Sequence, residues 1–156
     1  ILLEWNMDIF SLIILGAILL ITNHVCAQLP YGWAFSAKKT TNSTYEIHCA
    51  IKIKVPWHTY SQYTPEGGPL PTKVSFAKNP VYSLEGRIKE VGKLQTRHEE
   101  VFDVDVKYFE GWVDFVQLIK LKGNAKTNIS GSVEFMVCND RQCLPPTIQK
   151  FTIPLN

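Results

Sequence analysis

The stretch Thr44-Tyr45-Glu46-Ile47-His48-Cys49-Ala50-Ile51-Lys52-Ile53-Lys54-Val55 decides the fold class. Tyr45, Ile47, Cys49, Ile51, Ile53 and Val55 fall on one side of a period-two pattern. Thr44, Glu46, His48, Lys52 and Lys54 fall on the other, with Ala50 neutral. Successive side chains of a strand point to opposite faces, so this segment has one apolar and one wet face, the mark of a half-buried antiparallel strand. Pro56 ends it, because proline has no N–H to give to a ladder. The same alternation places the Cys49 thiol in the core, where a free cysteine behaves as a small inert hydrophobe.

Working outward, the pattern repeats in shorter runs. Lys73–Ala77, Tyr82–Ile88, Glu100–Tyr108, Gly111–Leu121, Gly131–Cys138 and Ile148–Leu155 read as further strands, with Val113, Phe115, Ile119 and Leu121 on one face of the fourth. Lys78-Asn79-Pro80, Glu110-Gly111 and Gly123-Asn124 carry turn chemistry, and Glu66 to Pro71 is a loop by composition. Trp57-His58-Thr59-Tyr60 forms an aromatic cluster at a strand end. No segment shows a sustained helical period with caps. Short strands at this spacing predict an all-β, immunoglobulin-like β-sandwich.

The N-terminus is not domain material. Ile9 to Ile21 is an apolar run of about 13 residues, short of the ~20 that span a bilayer. Val25-Cys26-Ala27 follows, which predicts a secretory signal over residues 1–27, cut after Ala27, and a domain over 28–156. Met7 is the natural initiator. An uncleaved anchor and lipidation at Cys26 are the alternatives. Removing residues 1–27 takes away Glu4 and Asp8 and no base, leaving 16 basic and 12 acidic side chains, a formal +4 over 129 residues. That mild charge without a basic run gives nucleic-acid binding no support.

Three cysteines remain, and two of them stand close together in Cys138-Asn139-Asp140-Arg141-Gln142-Cys143-Leu144-Pro145-Pro146. Cross-strand positions of a hairpin bring Cα atoms to about 5.5 Å, inside the window of a disulfide. For so short a loop the chain-entropy estimate is only roughly 2 kcal/mol, so such a bond is a weak staple. Three readings stay open. Zinc would find two ligands and no second close pair, with His48, His58 and His98 scattered. A passive clip is plausible in an exported sandwich. A redox pair would need one exposed sulfur and a docking surface. Pro145 and Pro146 favour the last, because they remove donors and stiffen a displayed edge. Arg97-His98-Glu99-Glu100-Val101-Phe102-Asp103 is a solvated loop, or else a loop that sets carboxylates beside a thiol and raises its pKa.

In order along the chain, these residues resemble the N-terminal periplasmic domain of the DsbD thiol:disulfide interchange family. The resemblance rests on Trp57 to Gln62, Gly68 to Pro71, Val81 to Gly92 running into Lys93, Glu99 to Phe102, Val106 to Gly111, and Val137-Cys138 to Cys143-Leu144-Pro145-Pro146. It spans Trp33 to Leu155. It implies an immunoglobulin-like domain in the periplasm whose Cys138–Cys143 pair shuttles between dithiol and disulfide, as a protein-disulfide reductase component. Cys143 would form mixed disulfides and Cys138 would resolve them. Glu99, Glu100, Val101 and Phe102 match the cap loop that shields the pair. His58 and Tyr60 match flanking tyrosines, His58 departing from that pattern, and Pro145 and Pro146 lie at the docking edge.

The implied donor is a thioredoxin-like reductase domain fed by a membrane electron-transfer protein. The implied acceptors are a periplasmic disulfide isomerase or a cytochrome c maturation thioredoxin. The sulfurs carry the electrons, so no cofactor or metal is called for. No membrane or thioredoxin-like domain lies within the 156 residues, which implies a free-standing homologue or a piece of a longer protein. The competing class is an exported partner-binding sandwich in which the bridge is only structural.

Overall fold

Tyr45, Ile47, Cys49, Ile51 and Ile53 are all buried in the computed structural model, as their alternation requires. It describes residues 28–100, 103–123 and 126–155. In chain order the strands are β1 (Tyr31–Lys39), β2 (Thr44–Ile53), β3 (His58–Tyr60), β4 (Lys73–Phe76) and β5 (Tyr82–Glu99), then β6 (Val104–Leu121), β7 (Thr127–Phe135), β8 (Val137–Cys138) and β9 (Thr147–Leu155). No helix occurs among the described residues.

Six strands form one antiparallel sheet in the order β1-β2-β6-β3-β8, with β5 also paired to β6. The second sheet is β4-β7-β9. One core joins them: Ile47, Phe115 and Ile119 of the larger sheet pack with Ile129, Val133 and Phe151 of the smaller. Aromatic contacts cross the layer, with Trp33 edge-on to Phe135 at 5.1 Å and Phe35 stacked on Phe151 at 4.8 Å. Burying each such side chain contributes about 1.5–3 kcal/mol. The fold is an all-β, immunoglobulin-like sandwich.

Several boundaries differ from the sequence reading. Val55 lies outside β2 and is 75% exposed, because the chain leaves the sheet after Ile53. β1 was not anticipated, although Tyr31, Trp33, Phe35 and Ala37 alternate and face the core. The cluster at His58 to Tyr60 is itself a buried strand. Glu110-Gly111 is not a turn. Gly92 pairs with Val113 and Leu94 with Phe109, so Glu110, Gly111 and Trp112 together oppose Lys93 in a bulge within one 18-residue strand. Gly111 supplies the positive φ (74°) that this bulge needs. β5 likewise runs on to Glu99, so Arg97, His98 and Glu99 are strand residues.

The largest departure concerns Gly131 to Cys138. The run splits at Met136: β7 belongs to the smaller sheet, while β8 crosses to the larger and pairs with β3. A second, smaller cluster of Tyr60, Val106, Tyr108 and Cys138 forms where it lands.

Sheet packing is tightest at Gly131, where an added Cβ would fall against the Ser75 carbonyl and the Phe151 ring, whereas Gly32 faces open space. Gly131→Ala is expected to destabilise the domain by about 1–3 kcal/mol. Gly32→Ala should stay within about 0.5 kcal/mol of the parent. Urea denaturation of the two variants checks this, and equal midpoints would contradict it.

Candidate functional site

The crossover at Met136 sets Cys138 opposite His58 and Val137 opposite Thr59, at the edge of the larger sheet. Beyond Cys138 the chain reverses at once. Asn139 Oδ1 accepts from the N–H groups of Arg141 and Gln142, both at 2.9 Å, which closes the turn. The Asn139 N–H donates to the Gln142 carbonyl at 2.9 Å, and the Leu144 N–H to the Val137 carbonyl at 2.8 Å. Cys138 and Cys143 therefore face each other as a non-hydrogen-bonded pair, the class that brings Cα atoms closest. Their Cα atoms are 4.0 Å apart, nearer than the sequence estimate, and the sulfurs are bonded.

The two ends of the bond differ. Cys138 is 1% exposed and belongs to the small core cluster, while Cys143 is exposed. Leu144 packs back onto the main core, and Pro145 and Pro146 follow in the open. A thiolate from another molecule can therefore approach from the Cys143 side. Cys49, the other thiol, is fully buried and its pKa is pushed up to about 12 by burial and by the Asp114 charge, so it stays protonated and inert.

An open groove of about 510 Å³ runs beside the bridge. It brings together Tyr60, Glu99, Cys138 and Cys143 of the sequence-predicted site, and adds Gly68, Pro69, Leu70, Arg97 and Met136. Glu100 sits exposed in the turn after β5. Val101 and Phe102, the other cap-loop residues, lie outside the described residues. His58 is 1% exposed beneath the groove, edge-on to Tyr60 at 5.3 Å between ring centres and to Tyr108 at 5.1 Å. Glu90 holds the exit of β3, accepting from Ser61 Oγ at 2.8 Å and from the Gln62 N–H at 2.7 Å.

Arg97, within a charged stretch of the sequence, lies on β5 and lines the groove. Its Nε donates to Glu99 Oε1 at 2.6 Å, its Nη1 lies 3.4 Å from Asp140 Oδ1, and its Nη2 lies 3.3 Å from His58 Nε2. The guanidinium also sits 5.0 Å from the Tyr108 ring centre. Partial burial works against its charge, but the Glu99 hydrogen bond and carboxylate outweigh that and raise its pKa. A guanidinium can only donate, so His58 Nε2 is the acceptor and the ring proton sits on Nδ1. Burial first, and the Arg97 charge next, lower the His58 pKa and keep the ring neutral. Tyr60, with its hydroxyl 3.2 Å from the same nitrogen, is pushed up to about 12, chiefly by burial. The spacing of Arg97 and Glu99 was the available signal: two residues apart on one strand, they share a face.

Among the described residues no group of three or more His, Cys, Asp or Glu side chains could hold a metal ion. Nor is any helix among them long and apolar enough to cross a membrane.

The profile of the family described as thiol:disulfide interchange protein DsbD, N-terminal, matches residues 27–155. Among solved structures, the chain is similar to the N-terminal periplasmic domain of ScsB from Proteus mirabilis, at 14% identity and a TM-score of 0.55. The match covers 80% of this chain and 51% of that one, so the chain spans about half the length of that structure. The likeness supports the sandwich fold. The reduced DsbD N-terminal domain of Neisseria meningitidis aligns at 11% identity and a TM-score of 0.45, over 80% of this chain and 86% of that one. No curated protein sequence matches.

The neutral His58 carries a sign for stability. Its folded pKa lies below the ordinary 6.5, so as pH falls through that value the unfolded chain takes up the proton first. Its contribution is complete above about pH 6.5 and declines below it. In urea denaturation of the oxidised domain from pH 7.5 to 5.5, the parent is expected to lose stability more steeply than His58→Phe, by at most about 1.4 kcal/mol per pH unit. Equal slopes would refute the neutral ring.

Proposed function

Because the chain belongs to the family of DsbD N-terminal domains, and so is a thiol–disulfide interchange domain, we propose that it carries electrons between periplasmic proteins through a reversible Cys138–Cys143 bridge. The observation that carries this reading is the unequal burial of a bonded pair: Cys138 at 1% exposure, Cys143 open beside the groove.

In the reducing direction a donor thiolate attacks Cys143, Cys138 leaves, and the donor's second thiol then displaces Cys143. In the delivering direction the Cys143 thiolate attacks an acceptor disulfide and Cys138 resolves the mixed disulfide. The donor we assign is a thioredoxin-like domain supplied by a membrane electron-transfer protein. The acceptors are a disulfide isomerase or a cytochrome c maturation thioredoxin. Residues 1–27 direct export, and residues 28–156 are the exchanging domain. The stretch Glu99 to Phe102 acts as the cap that a partner displaces, with Tyr60 and His58 flanking the pair and Pro145 and Pro146 at the docking edge.

Titration of the bridge against dithiothreitol or glutathione, with alkylation trapping, tests this. A midpoint above about −300 mV is expected of an exchanging pair. A value well below it would place the bond among structural disulfides and turn the domain into a partner-binding sandwich with a passive clip.

A further inference from the structure

Breaking the bridge by attack at Cys143 leaves a thiolate on Cys138, which is 1% exposed beside Tyr60, Val106 and Tyr108. An anion in such a place is costly without a compensating charge. His58, the cross-strand partner of Cys138, cannot supply it, because its Nε2 accepts from Arg97 and the ring is neutral. Cross-strand partners hold their Cβ atoms about 4.5–5.5 Å apart on one face, so the guanidinium bonded to His58 lies one side chain away from Cys138. Of the described residues that line the groove, Arg97 is the one cation. The charges around it are negative. Glu99 pairs with it from β5 and Asp140 from the turn, while Glu110 of β6 stands opposite His58 and accepts from Gln95 Nε2 at 3.2 Å.

Resting on the reading that the pair exchanges, we propose that Arg97 is the positioning residue for the leaving sulfur, acting beside and through His58 to stabilise the Cys138 thiolate. When a donor thiolate attacks, the donor Sγ–Cys143 Sγ bond forms, the Cys143 Sγ–Cys138 Sγ bond breaks, and the electron pair stays on Cys138. The donor dithiol is the reductant. Its second thiolate then displaces the Cys143 thiolate, the donor leaves as a disulfide, and solvent protonates what remains. Glu99 orients the guanidinium and, as an anion, weakens its effect.

The test is the pH profile of thiolate absorbance at 240 nm for Cys138 in a Cys143→Ser background, combined with Arg97, Arg97→Gln, Arg97→Lys or Glu99→Gln. Arg97→Gln should make Cys138 about tenfold weaker as an acid, and Arg97→Lys should restore most of it. Glu99→Gln should shift the profile the other way, which a merely structural role would not do. In the bridged proteins, reduction by dithiothreitol at pH 7 should be severalfold slower for Arg97→Gln. Coincident profiles across the series would overturn the assignment. A parent bridge that resists dithiothreitol would instead sink the exchange reading, and the titration, made without a bridge, still judges Arg97.

Discussion

Backbone pairing along β6 is the constraint on which the rest of the structure depends. Over its second half it binds β2, over its first half β3, and along its other edge β5. On the edge that β2 and β3 share, the changeover is made by residues 54–57, which leave the ladder between Lys52, opposite Trp112, and His58, opposite Glu110, and the Gly111 bulge against β5 lies at the same level. Without that excursion residue 54, not His58, would stand beside Glu110. The short β3 would then lose the partner that orders it, and with it the edge to which β8 attaches.

A second device completes the site. The chain pairs with the smaller sheet through Phe135, crosses at Met136, and continues in the larger sheet at Val137. That crossing buries Cys138 against Tyr60 and Tyr108, and the Asn139 turn then returns Cys143 to the surface. The asymmetry of the bridge is thus a product of topology more than of the cysteines' own neighbours in sequence. The polar cluster of Arg97, Glu99, His58 and Tyr60 assembles beside the bridge because β5 and β3 flank the first half of β6, one on each edge. Glu99 answers the charge of Arg97, and Arg97 in turn keeps His58 as an acceptor.

The alternating face of β2 was legible in the sequence, because a strand with one buried and one wet face writes its period directly into residue types. So was most of β6, from Val113 to Leu121. β1 was harder to see, since its outward positions, Gly32, Ala34 and Ser36, are small and not charged. The exposed edge strand β5 carries almost no apolar run beyond Ile88, so its extension to Glu99 shows only once β6 pairs with it. A glycine at positive φ serves a turn and a bulge equally well, and only long-range pairing decides between them at Gly111. Likewise the alternation of Val133, Phe135 and Val137 says which residues are buried but not in which sheet. The disulfide pair could be read from spacing and family resemblance. Of the Arg97 cluster only the pairing with Glu99 could be read, from their spacing on one strand, because His58, Asp140 and Tyr108 come from separate elements.

These features support the proposal that the bridge works in one orientation, with Cys143 as the exchanging sulfur. The most direct measurement compares mixed-disulfide capture by Cys138→Ser and Cys143→Ser, each keeping one cysteine of the pair beside the buried Cys49, reduced and mixed with an oxidised thioredoxin-like protein. The account predicts a stable covalent complex through Cys143 in the first and little or none in the second. Equal capture by both, or capture through Cys138 alone, would contradict it.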